Sequence, residues 1–88
     1  MKSLGFVETE GYVPAFAVAD AMVKAADVKI LKKVWIGAGM VTIIAEGEIG
    51  AIKTAVDAGA AVAGNRNSLL ACYTIARPSD ELVKMLGK

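Results

Sequence analysis

The sequence predicts an α+β fold, a four-stranded antiparallel sheet with two helices on one face and a short helix at the C-terminus. Three observations lead there. Two apolar, β-branched runs meet across Gly37-Ala38-Gly39 with no polar loop between them, which reads as two strands joined by a sharp reversal. Two alanine-rich segments, one on either side of this pair, have apolar residues near helical spacing. A last β-branched run ends at Pro78, just before a helix-capping sequence.

Taken in order, residues 4–9 read as a short strand, broken by Gly11. Val13, Phe16, Ala17, Ala21 and Val28 then fall near helical spacing, and residues 19–26 are rich in helix formers, so these five are the expected buried face of a first helix. Pro14 suits the first turn, where a missing N–H costs nothing. Residues 28–36 and 40–46 are the strands around the glycine tip. Glu48 opens a second helix over 48–64, whose apolar face is Ile52, Ala55, Val56, Gly59 and Ala63; its small residues predict close packing of helix on sheet. Residues 65–68, Asn-Arg-Asn-Ser, make a turn, and 69–76 form a fourth strand stopped by Pro78. Ser79-Asp80-Glu81 caps a short helix to about Leu86. The order β-α-β-β-α-β is the split βαβ, ferredoxin-like arrangement, which hosts many unrelated functions. With only the short terminal helix to cover it, part of the second sheet face is expected to be polar or to meet a partner.

At 88 residues the chain is expected to be one domain, residues 1–88, with a single modest core. A hydrophobic content of 56% is high for so small a domain, so part of it is expected at subunit interfaces. Charges or glycines interrupt every apolar run well short of the roughly 18 residues of a membrane span, and no signal-peptide core is present, so a cytoplasmic protein without a membrane partner is expected. A net charge of +1 gives no electrostatic case for nucleic acid. Lys29, Lys32 and Lys33 have no interleaved aromatic platform and read as a solvated strand face. With one cysteine and no histidine, Ser-His-Asp and Cys-His catalysis and a His/Cys zinc site are excluded within the chain.

The remaining candidates are few. Gly37-Ala38-Gly39 lacks the third glycine of a dinucleotide fingerprint and is followed by a strand, so no helix N-terminus awaits a pyrophosphate. It is either a tight structural hairpin, a surface that packs against copies of itself, or a place where a ligand approaches the main chain. Glu8, Glu10, Glu46 and Glu48 flank element ends, where solvation and helix N-terminal charge account for them. Lys24 ends the alanine-rich helix, and Arg77, before Pro78, stands on a rigid exposed corner; by themselves both read as surface charge. Cys72, inside an apolar run, is expected as a reduced core thiol.

Residues 4–28, LGFVETEGYVPAFAVADAMVKAADV, then IGAGMVTIIAEGEIGAIKTAVDAGAAVA over 36–63 and IARP over 75–78, closely resemble the hexamer-forming shell proteins of bacterial microcompartments. The likeness spans nearly the whole chain. It implies a homohexameric, flat hexagonal tile that joins neighbouring hexamers, of the same chain or of shell paralogues, around enclosed enzymes in the cytoplasm. It implies no cofactor and no catalytic residue. Gly37, Ala38 and Gly39 would line a pore on the sixfold axis for small polar metabolites, with Trp35 and Ile36 flanking it or packing at the subunit interface. Lys24, Asp27, Arg77, Pro78 and Ser79 would form the hexamer–hexamer edge, while Asp20 and Asp57 match recurring helix acids of no specific role.

Departures from the family pattern matter. Many relatives have serine where Ala38 stands and a basic residue where Trp35 stands, so the pore should depend on main-chain groups, without a ring of positive charge at its mouth. Asp27 replaces a common asparagine and Ser79 a histidine, both at the edge. The pore loop lacks the cysteine by which some relatives hold an iron–sulfur cluster, so no cluster is expected. The alternative function, from another class, is a soluble ferredoxin-like oligomeric regulatory module that binds a small ligand at a subunit interface.

Overall fold

The computed structural model describes residues 2–87. Its elements run β1 (Ser3–Glu10), α1 (Tyr12–Ala25), β2 (Lys29–Gly37), β3 (Met40–Gly47), α2 (Ile49–Asn65), β4 (Leu69–Ile75) and α3 (Asp80–Met85). The sheet order is β2-β3-β1-β4 with every neighbouring pair antiparallel, the predicted split βαβ topology.

The pleat sorts side chains into two cores. On one face, Val7 of β1 and Val41, Ile43 and Ala45 of β3 meet Ala15, Val18 and Met22 of α1 and Ile52, Ala55 and Val56 of α2. On the other, Leu4, Phe6 and Ile44 pack with Leu31, Ile75, Leu82 of α3 and Leu86, which closes that helix. The terminal helix thus covers part of the second face, and Glu8 and Thr42 make it polar beyond that cover, facing each other across β1 and β3.

The five residues expected to be the α2 face are its five buried residues. The α1 face differs: Ala15, Val18 and Met22 are buried, whereas Val13 and Phe16 are 67% and 55% exposed. A helix with apolar residues on nearly every side gives the periodicity no contrast from which to read its phase. Pro14 does fall in the first turn.

Two glycines set the spacing between layers. A methyl group at Gly5 would lie 2.6 Å from Val56 Cγ2 and 3.1 Å from Ile52 Cγ2, so the close approach of α2 to the sheet is made by a strand glycine. Gly59 serves a different contact from the one expected: its absent side chain makes room for Val18 and Met22, which brings the two helices together.

The ends of the elements are well satisfied. At the close of α2, Ser68 N–H donates to Ala63 O at 2.8 Å and Asn67 N–H to Gly64 O at 3.0 Å, with Asn67 at φ 55, a Schellman arrangement with asparagine in the left-handed position. Ser79 Oγ accepts from Leu82 N–H at 3.1 Å, and Asp80 and Glu81 follow in the first turn of α3, as the sequence predicts.

Glu46, expected on the surface, is only 8% exposed: it faces Lys29 across β3 and β2 and lines a hollow beneath α3 with Leu4, Leu31 and Leu86. Cys72, expected in the core, is an exposed free thiol, because β4 is an edge strand and the helices do not reach over it there.

These close contacts set a clear contrast. Gly5→Ala should destabilise the chain by about 1–3 kcal/mol, since a β-branched neighbour must move to admit the methyl. Gly50→Ala, in α2 with nothing near the added carbon, should stabilise it by about 0.5 kcal/mol. Urea unfolding followed by circular dichroism at one protein concentration measures both.

Candidate functional site

The reversal after β2 is a two-residue hairpin loop: Gly37 pairs with Met40, leaving Ala38 and Gly39 at the turn. Both central residues have positive φ, 52 for Ala38 and 79 for Gly39, as a type I′ turn requires, and Gly37 adds a third at 97. The sequence pointed to the two glycines but not to the left-handed alanine between them. A side chain at Gly37 or Gly39 would meet nothing within 4 Å, so glycine is there for backbone conformation and not for lack of space. The tip is not free of the body of the protein. Gly11 N–H donates to Gly39 O at 2.6 Å, while Thr9 Oγ1 donates to Gly11 O at 3.3 Å, tying the tip to the junction of β1 and α1.

Beside the tip, Trp35 is 61% exposed and lies ring to ring with Tyr12, at 4.1 Å between centroids; Tyr12 in turn stacks with Phe16 at 6.2 Å. Lys33 Nζ sits 4.4 Å over the Phe16 ring, so one lysine of the basic cluster does have an aromatic neighbour, supplied by α1. Tyr12 and Phe16 were missed as partners of Trp35, although their i,i+4 spacing at the start of a helix puts them on one side of it. A hollow of about 280 Å³ between Tyr12, Trp35 and the three tip residues adjoins one of about 260 Å³ bounded by Phe16 and Lys33.

The charged candidates lie at the other end of the sheet. β1 begins at Ser3 opposite Gly47, while Lys29 pairs with Glu46 and Ile75 with Leu4; this end carries the close of α1, the start of β2 and the close of β4. Lys24, in the last turn of α1, pairs with Asp20 Oδ2 at 2.9 Å, an exposed i,i+4 contact that contributes about 0.5 kcal/mol at most and chiefly lays the lysine along the helix. Asp27 follows α1, and its carbonyl lies close to Gly47. Ser3 Oγ donates to Ala76 O at 2.9 Å, which fixes the corner that carries exposed Arg77. Pro78 is buried and anchors that corner from within, and Ser79 is exposed beside it. Arg77 and Asp27 border two hollows that share Glu48, a residue the sequence gave no reason to place with them.

Among the described residues no group of three or more His, Cys, Asp or Glu side chains could hold a metal ion, and no helix is long and apolar enough to cross a membrane.

The sequence model of the BMC domain matches residues 3–78. This chain belongs to the BMC-domain family. The BMC-domain chain is 46% identical over 87 residues to bacterial microcompartment shell protein PduA of Citrobacter freundii, covering 99% of this chain and 94% of that protein. It is 45% identical over 86 residues to carboxysome shell protein CsoS1 of Prochlorococcus marinus strain SARG, covering 97% of this chain and 84% of that one. A solved structure of a microcompartment protein from Desulfitobacterium hafniense superposes on 98% of the BMC-domain chain with a TM-score of 0.87 and 27% identity; the chain spans about half the length of that protein.

Because Ala38 occupies the left-handed region, its neighbours in chemistry are sharply limited. Ala38→Asn, which gives the favoured Asn-Gly turn, should raise stability by about 0.5 kcal/mol, and Ala38→Val should lower it by about 1–2 kcal/mol. Thermal or urea midpoints of the two variants against the parent check this.

Proposed function

We propose that the chain is a structural shell protein of a bacterial microcompartment, a homohexameric tile whose Gly37-Ala38-Gly39 tips surround a pore on the sixfold axis and whose opposite ends join tile to tile. The observation that carries this reading is the separation of the two sets of residues. The tip lies at the Glu10/Met40 end of the sheet, while Lys24, Asp27, Arg77 and Ser79 lie at the Ser3/Gly47 end. An eight-residue strand separates them by roughly 24 Å. A wedge with one end at an axis and the other at a rim needs that division.

The names of PduA and CsoS1 support the shell role, residence in a microcompartment and other shell proteins as partners; enclosed enzymes are the further partners that such a shell would have. The tip supplies main-chain groups and one methyl group to the throat. Such a ring of backbone dipoles suits small polar solutes without depending on a charged side chain. At the rim, a closed ring satisfies its own heterologous contacts, and tiles extend in two dimensions through contacts across local twofold axes. Each exposed Lys24 or Arg77 contact is weak by itself, so extended sheets depend on many of them. Pro78 contributes by holding Arg77 at its corner.

Purified protein at moderate salt should form hexagonal sheets or tubes in negative-stain electron microscopy. Lys24→Ala and Arg77→Ala should each abolish them, while light scattering still gives a mass of six chains. Sheets of normal extent from both variants would remove the edge assignment, and small particles without sixfold symmetry from the parent would remove the tile.

A further inference from the structure

Of the rows of paired residues that cross all four strands, one runs from Trp35 to Leu69. Trp35 pairs with Val41, Val41 with Thr9, and Thr9 with Leu69. Val41 and Thr9 are buried, whereas both ends of the row are exposed. Each end heads an apolar patch on an edge strand with no partner in the sheet. At the β2 edge Trp35 is joined by Tyr12 and Phe16; at the β4 edge Leu69 is joined by Leu70. Both patches stand at the tip end, one on each flank.

The geometry points to a head-to-tail contact in which Trp35 of one copy is the anchor that seats on Leu69 and Leu70 of the next. This rests on the ring reading above and gives that ring its residues. A contact between two different patches at one level of the sheet uses both patches of every copy and, repeated by rotation, closes around an axis on the tip side. Pairing Trp35 patches with each other would bring two Lys33 ammonium groups together and leave the leucines exposed. The β4 run, Leu-Leu-Ala-Cys-Tyr-Thr-Ile, carries no charge that would have to be stripped of water. Tryptophan and tyrosine, large and rigid with a polar tip, are the usual anchors of such interfaces.

The test uses the full chain and follows its mass on dilution. Trp35→Ala and Leu69→Glu should each weaken the ring about 30-fold or more, and Trp35→Phe should largely restore it. Trp35→Cys combined with Leu69→Cys, in a Cys72→Ser background, should give on mild oxidation a ladder of covalent oligomers up to six chains in a denaturing gel. This second readout stands if a point variant fails to fold. Rings that persist undiminished in both point variants, or the absence of the ladder, would overturn the pairing and leave the ring intact. A parent protein with no ring-sized species would overturn the ring itself, and the pairing with it.

Discussion

Strand β1 is the constraint around which the rest of the molecule is arranged. It is bonded along both sides, to β3 and β4, so its register fixes what stands at each end of the sheet. Its alternation supplies Val7 to one core and Leu4 and Phe6 to the other. Gly5, in the middle, lets Ile52 and Val56 of α2 come down onto the sheet. A single strand thus positions both helical layers, and through its two ends it assigns the hairpin tip to one pole and the charged residues to the other. The function proposed above depends on that assignment more than on the chemistry of any one side chain.

The two poles are held by different means. The tip is held by backbone: left-handed residues in the turn and a hydrogen bond from the start of α1. The far pole is held by short side-chain contacts, from Ser3 to the carbonyl of Ala76 and from Ser79 to the first turn of α3, with Pro78 buried between β4 and that helix. Rigid backbone would suit the proposed throat, whose bore must be constant. A charged rim on short, fixed corners would suit the proposed tile-to-tile contacts, which are weak singly and must repeat in register.

Much of this was legible in the sequence, and the exceptions have physical causes. The α2 face could be read because small and branched residues recur on one side against Lys53, Thr54 and Asp57 on the other. The α1 phase could not, because Tyr12, Val13 and Phe16 continue the apolar character onto the side that faces away from the core. Cys72 and Glu46 were misjudged for one reason: burial depends on which strand lies at the sheet edge and on where α3 lands, and neither is written in a local run of residues. Of the site, the glycines at the tip and the cations at the far end could be named, the latter from resemblance. The partnership of Trp35 with Tyr12 and Phe16, and the row from Trp35 to Leu69, needed strand register.

The left-handed conformation of Ala38 also bears on how the throat proposed at the hairpin tip could change over time. Few L-residues rest there without strain, and those that do are small or carry a short polar group. Single substitutions at the apex therefore explore a narrow palette, from glycine, alanine and serine to asparagine and aspartate. A lineage that needed a very different permeability would have to draw its new chemistry from positions beside the hairpin, where the backbone is ordinary and any side chain can be tried.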